Sequence, residues 1–452
     1  MPDLQTFLQQ YEADHPDQVW RIQEEIPRDY FSTAATLEAE RLPQPPVLVF
    51  EHVTGLDMPV VTGLFSSRAR IAYAIGTTQD NLHSYWAKVS HNLLPPVQVA
   101  TGVSQEVCHL NNKANAETLP LMQHFEQDAG RYITSGVIVA QDPDEERGNL
   151  SFARMQLKGP RRFGISVHSR GHLWDYHRRA EAKGQDLEVA VIIGMHPAFL
   201  VGAASRVPID VNEYHVAGAL MGQPVPLVPA KTVNLQVPAN AEMILEGVIK
   251  AGQHETEGPF GEYTGYATDR STRNVFELRA ITHRQSPYFL DVCPGLSQDH
   301  LFLGRIHKEA EVLRKLRQVL PNITAIHYPI SGTHYHCYIA MKKQRPGDGR
   351  HAAILALGLD AYIKLVIVVD DDIDVTDEAE VMWSLATRMQ PADDLTVVGD
   401  MTCNVLDPSS HDGLSSKLAI DATRPLDWTA ERCSVPEETL NRVREMFVQR
   451  KI

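Results

Sequence analysis

The chain is short of positive charge, of paired cysteine and of unbroken apolar runs, and each shortage removes a class of function. Its 452 residues carry 42 lysines and arginines against 57 aspartates and glutamates, a formal net charge of -15 at pH 7. Nucleic-acid binding rests on neutralising phosphate, so this balance, with no basic run and no RNA-type aromatic motif, argues against a nucleic-acid partner. A local positive pocket for a single phosphate is still compatible with it. The five cysteines, Cys108, Cys293, Cys337, Cys403 and Cys433, are scattered, odd in number and form no Cys-x-x-Cys pair. They read as buried thiols of a reducing compartment, not as a disulfide frame or a zinc ribbon. The longest apolar region, 187–204, is interrupted by Glu188, Gly194, His196 and Pro197 and reads as a strand turning into a helix, so no membrane span is expected. Residues 1–18 are polar and acidic without a signal-peptide core, which predicts a cytoplasmic protein.

What is present divides the chain. Length alone predicts several domains and a sizeable core. Residues 1–98 read as a mixed α/β segment ending near Leu93-Leu94-Pro95-Pro96. Strand signals dominate 99–298, at 132–140, 150–157, 163–167, 189–193, 243–251, 275–281 and 288–292, with helical inserts near 172–183 and 197–205. That pattern predicts a barrel or sandwich. Asp299 is expected to cap a helix through 300–318, giving a linker helix over 299–320. Residues 321–432 alternate strands (325–330, 335–341, 363–369, 395–398) with helices (351–358, 378–388), an α/β layer arrangement. A helix from Pro436 fills the final segment, 433–452, and carries Leu440, Val443, Met446 and Phe447 on a similar face, fit to pack on its own chain or on a partner subunit.

The chemistry-bearing residues centre on Glu257-Gly-Pro-Phe-Gly-Glu-Tyr-Thr-Gly-Tyr266. Glu257 and Glu262 would be far apart around a helix and on opposite faces of a strand. Gly258, Pro259, Gly261 and Gly265 predict a bent loop instead, which can bring the two acids together. Two acids held close do not both ionise cheaply, so one keeps its proton near neutral pH. The bland alternative is an exposed acidic loop. Arg154, following the short run 150–153, would need a carboxylate partner inside a barrel, and this loop would supply one. His168 and His172, in His-Ser-Arg-Gly-His, are poorly spaced for a helical metal pair because of Gly171; Asn149 and Glu213 could add oxygen donors suited to a hard ion such as Mn2+ or Mg2+. His334-x-His336 on a strand would face one side, and a structural role is the expectation for it. Asp370, Asp371, Asp372 and Asp374 follow a buried strand, where carboxylates cap and solvate a junction. Lys364, on the same strand, could reach an anion.

Together these residues resemble the UbiD family of reversible decarboxylases. The resemblance is carried by Glu-Gly-Pro-Phe-Gly-Glu at 257–262, Asn-x4-Arg at 149–154, Glu-Met-Ile-Leu-Glu-Gly at 242–247, Ile-Lys-Leu-Val-Ile-Val-Val-Asp-Asp-Asp-Ile-Asp at 363–374 and Lys-Leu-Ala-Ile-Asp-Ala-Thr at 417–423. It implies an N-terminal α/β segment, a central split β-barrel that binds prenylated FMN, a linker helix and a C-terminal α/β oligomerisation domain. It also implies decarboxylation of an aromatic, heteroaromatic or α,β-unsaturated acid through a covalent substrate–cofactor adduct. By resemblance Arg154, Glu257 and Glu262 are the catalytic set, with Glu262 returning a proton after CO2 leaves. Asn149, His172 and Glu213 are the divalent-ion ligands, His172 being preferred to His168 by its spacing from Asn149 and the following Leu-Trp. Ser151, Phe152, Arg154, Arg170 and Lys364 complete the cofactor contacts, and potassium is implied nearby. Gly171 departs from members that have glutamine beside the metal-binding histidine, a contact Arg170 could replace. His300 is a candidate substrate-pocket residue. A flavin prenyltransferase as cofactor supplier and a homodimer or higher homo-oligomer belong to the same expectation, and the glycines of the acidic loop separately suggest a lid-like movement between domains. Two other readings compete: a metal-dependent hydrolase built on His172, Glu213 and the acidic loop, and a non-catalytic flavin-binding or scaffold protein.

Overall fold

The computed structural model describes residues 2–89, 91–145, 147–167 and 171–449. Alternating apolar residues build its central sheet. Along Leu187–Ile193, Val189, Val191 and Ile193 face one core while Ala190 and Ile192 face another shared with the helix Pro197–Ala203; this is the period of two that sends neighbouring side chains to opposite faces. The sheet has nine strands, and its pairings are antiparallel. In order across the sheet they are Tyr132–Ile133, Met155–Gly159, Arg162–Ile165, Asn274–His283, Met243–His254, Leu187–Ile193, Val137–Gln141 and Gly148–Phe152, with Val107–Leu110 also on Asn274–His283.

Connectivity forces this sheet to curl. Ile133 leads to Val137, and Phe152 to Met155, through connectors 134–136 and 153–154, yet each connector joins strands six places apart in the sheet. Six places in a flat sheet are roughly 29 Å, whereas these connectors reach at most about 15 Å. The two ends must therefore approach one another along a seam. No hydrogen-bonded ladder closes that seam among the described residues, so the barrel is split. Here the sequence reading needs correction: 132–140 and 150–157 are not single strands, because each is interrupted where the chain crosses the seam. Arg154 lies in one of these crossings.

The strand at Phe289–Leu290 is a second correction. It pairs in parallel with Val60–Thr62 and so extends the N-terminal sheet, Val19–Ile22, Val47–Phe50, Val60–Thr62 and Phe289–Leu290, instead of adding to the central one. An apolar run announces a strand but not its partner. The third correction concerns Asp299. Ser297 is the N-cap, its hydroxyl accepting from Asp299 N, and the helix is divided into Gln298–Leu303 and Ile306–Val319. The fully buried Asp299 carboxylate instead accepts the backbone N–H groups of Gly63, Phe65 and Cys293 at 3.1, 2.6 and 3.0 Å. It ties the N-terminal segment to the start of the connecting helices.

The C-terminal sheet runs Ile323–His327, His336–Met341, Leu365–Asp370, Leu414–Ala422, Leu395–Thr402, parallel at its centre and antiparallel at both edges. Helix Asp348–Leu359 covers one face and Glu378–Arg388 the other. Its strand Leu414–Ala422 was not anticipated. The closing helix, Glu437–Gln449, leaves Val443, Met446 and Phe447 exposed.

Candidate active site

The seam places a guanidinium between two acids. Arg154 donates from Nε and Nη2 to the two oxygens of Glu257, each at 3.0 Å, and from Nη1 to Glu262. A further Nη2 bond reaches the Arg270 carbonyl at 2.7 Å, and the guanidinium lies 5.0 Å from the Phe260 ring centroid. The fork is a bidentate carboxylate clamp with a third arm left for Glu262. Glu257 is fully enclosed, and Glu262 keeps 13% of its side chain exposed. Burial, with Glu257 adding repulsion, raises the Glu262 carboxyl above its ordinary range even against the attraction of Arg154. Burial opposes the charge of Arg154, but Glu262 and Glu257 outweigh it and strengthen its hold on its proton. Two acids of unequal exposure share one cation.

The acidic segment is bent as expected, but it is more regular than a loop. Phe260–Gly261 pairs with Ala267–Thr268 as a small hairpin, turned by Gly265 N donating to Glu262 O at 2.9 Å, with Gly265 at φ +81°. Asp128 fixes its base, accepting from Gly261 N at 2.8 Å and from Phe125 N at 2.9 Å. Gln156 accepts from Gly258 N at 3.3 Å. A Cβ on Gly261 would stand 2.3 Å from the Phe125 ring, and one on Gly164 would stand 3.0 Å from Glu257. These supports escaped the sequence reading, because nothing local links Asp128 to Gly261. Glu262 faces a cleft of ≈ 240 Å³ whose opposite wall is Val405, Leu406, Asp407 and Pro408.

A second group gathers on Gly148–Phe152. Glu213 is buried; its Oε2 accepts from Leu150 N at 2.9 Å, and its Oε1 lies 3.9 Å from His172 Nδ1. No cationic side chain pairs with Glu213 among the described residues. Burial raises it to about 7 and lowers the proton affinity of His172. Asn149 donates from Nδ2 to Ser151 at 2.7 Å, which leaves its amide oxygen to serve as a donor atom for an ion. An unpaired carboxylate, a neutral imidazole and an amide oxygen fit a hard divalent cation with open positions. His172 and Glu213 are also the first residues of helices His172–Ala182 and Glu213–Met221, whose N-terminal dipole ends favour an anion such as phosphate. The second helix was missed, although Asn212 as N-cap and Gly222 in the left-handed region are both readable signals.

Other expected residues lie elsewhere. Lys364 donates to Asp407 at 2.8 Å and to Ser409, behind the far wall of the cleft. His300 is pushed down to about 4 by burial, its Nδ1 has no partner among the described residues, and its ring centroid is 6.3 Å from that of Tyr263. His334 precedes the strand that begins at His336, so the two rings do not form the strand pair; His334 packs 4.8 Å from Tyr263. Asp370 and Asp372 pair with Arg388 at 2.6 and 2.8 Å, a structural network. Phe152 packs on the core beside Leu150. His168 and Arg170 lie outside the described residues.

The split barrel thus carries an Arg–Glu–Glu constellation at its seam, beside a cleft. The N-terminal, Rift-related and C-terminal domain models of 3-octaprenyl-4-hydroxybenzoate carboxy-lyase match residues 12–89, 96–297 and 301–422, and the chain belongs to the UbiD family of carboxy-lyases. It is 32% identical over 385 residues to the anhydromevalonate phosphate decarboxylase of Methanothermobacter thermautotrophicus, covering 84% of this chain and 89% of that one. The UbiD-class enzyme HmfF from Pelotomaculum thermopropionicum, solved in complex with FMN, superposes with a TM-score of 0.92 at 36% identity, over 97% of this chain and 98% of the other. The vanillic acid decarboxylase of Sedimentibacter hydroxybenzoicus in open form gives 0.87 at 27% identity, with 99% of each chain covered.

Proposed function

We propose that this chain is a reversible, non-oxidative decarboxylase of an aromatic, heteroaromatic or α,β-unsaturated carboxylic acid that works with prenylated FMN. The observation that carries the reading is the bidentate Arg154–Glu257 pair with Glu262 on the remaining arm, at the edge of a cleft. When bound, prenylated FMN supplies the electron sink that the protein's own side chains lack. Arg154 orients the substrate carboxylate and clamps Glu257 through its bidentate pair. Glu262, whose enclosure favours the protonated form, delivers the proton from its carboxyl to the carbon that has lost CO2. In the carboxylation direction the same oxygen takes that proton back. The orphaned Nδ1 of His300, whose ring packs near Tyr263, supports a polar contact to the substrate.

Asn149, His172 and Glu213 are the proposed ligands of Mn2+ or Mg2+, which would neutralise phosphate charge, with K+ close by. Ser151, Phe152 and Arg170 would line the cofactor, and Lys364 would reach a phosphate only after exchanging Asp407. A flavin prenyltransferase would supply the cofactor in the cytoplasm, and a homo-oligomer formed through the C-terminal domain would cover the stripe on Glu437–Gln449. Co-expression with a flavin prenyltransferase tests the core of this reading. The purified protein is expected to show the absorbance and mass of prenylated FMN, and failure to bind either this or ordinary flavin would overturn it.

Two further results are expected. Glu213→Ala should reduce divalent-metal content and cofactor retention together, read by elemental analysis and flavin absorbance; unchanged retention would remove Glu213 from the site. Because a general acid acts only while protonated and Glu262 is raised, kcat should fall as pH rises through a limb lying above the usual carboxylate range. A profile flat through that region would show that Glu262 does not set the protonation step.

A further inference from the structure

Away from the cleft, two imidazoles meet across an edge of the central sheet. Val107–Leu110 pairs antiparallel with Asn274–His283, and His109 stands opposite Ile281. His283, two residues beyond Ile281, therefore projects from the same face as His109. Their Nε2 atoms are 3.4 Å apart and their ring centroids 5.5 Å apart. His283 Nδ1 lies 2.6 Å from the Arg284 carbonyl oxygen. A carbonyl only accepts, so Nδ1 carries the proton and the neutral ring presents a lone pair at Nε2. A backbone carbonyl orients metal-binding imidazoles in the same way.

The spacing is long for a hydrogen bond between the rings and suits a shared ion. Two nitrogens each about 2.0–2.1 Å from one tetrahedral ion lie roughly 3.4 Å apart, whereas a ring N–H donating across the gap would draw the atoms to about 3.0 Å. Both rings are partly exposed, so water can complete the coordination. Neighbouring groups are committed elsewhere: Cys108 is on the opposite face with Sγ 3.5 Å from the Gln105 carbonyl, and Glu106 accepts from Gln285 N at 2.8 Å. No cluster of three or more His, Cys, Asp or Glu side chains fit for a metal occurs among the described residues, so two imidazoles and solvent make the whole site.

We propose that His109 and His283 form a binding site for a late first-row divalent ion, Zn2+ being the type, which clips strand Val107–Leu110 to the central sheet. Imidazole donors favour zinc, nickel or copper over manganese and magnesium, which sets this site apart from the oxygen-rich one at Asn149 and Glu213. It does not depend on the flavin reading. Zn2+ titrated into the full-length protein by calorimetry is expected to fill one more equivalent in the wild type than in His109→Ala or His283→Gln, or to bind at that equivalent on the order of 10-fold more tightly. Decarboxylase activity should be unchanged in both variants, and the same difference should persist when Glu213→Ala is added. Equal stoichiometry and affinity in wild type and both variants would overturn the proposal. If the variants fail to fold, Zn2+ added to the wild-type protein decides: shifts of the His109 and His283 ring signals in NMR are expected, and unchanged signals of both rings would refute the site.

Discussion

Glu262→Gln is expected to abolish turnover, with a loss on the order of 10²–10⁴-fold, while the protein still binds prenylated FMN. The amide keeps the volume of the side chain and an oxygen for Arg154 but has no acidic proton to give. Glu262 lies on the hairpin beside the cleft and its side chain bonds Arg154, not Asn149, Glu213 or His172, so cofactor retention should not follow activity down. Flavin absorbance of the purified variant beside CO2 release in single turnover measures both. Normal turnover would eliminate Glu262 as the donor.

Arg154→Met should lose turnover as well, and it should also weaken the fold. Its side chain satisfies Glu257, which is fully enclosed, and also bonds Glu262 and the Arg270 carbonyl. Removing one partner of a buried pair leaves the other without compensation, typically at a cost of about 3–5 kcal/mol. A lower urea midpoint with an unchanged slope is the expected signature. Arg154→Lys keeps the charge but not the planar fork, so it should recover part of the stability and little of the activity. A methionine variant as stable as the parent would mean that Glu257 finds another partner.

The acids were legible because five-residue spacing among glycines and a proline leaves few geometries, and because an arginine entering a barrel demands a carboxylate. The break before Met155 was not. Leu150, Ala153, Met155 and Leu157 read as one apolar strand, and only the closure of the sheet requires the chain to leave one edge and rejoin near the other. Asp299 misled for a related reason. Its place near a helix start suits a cap, but the backbone N–H groups it accepts belong to residues 63, 65 and 293, two of them more than 200 positions away. Local chemistry announces that a carboxylate wants donors; it cannot say which loop will bring them. The alternation over 321–432 was easier to read, since hydrophobic periodicity there coincides with the elements that form.

The hairpin that bears the proposed donor serves two neighbours at once. Its base is held by Asp128 and Glu262 by Arg154, all in the central domain, while the next side chain, Tyr263, is sunk among His334, Tyr335 and Tyr362 of the C-terminal half. One peptide unit separates the two allegiances. If the C-terminal half withdraws from the cleft, the tyrosine either gives up its aromatic socket or draws the Glu262 carboxyl from the guanidinium. Tyr263 thus ties the alignment of the two halves of the chain to the placing of the proposed donor.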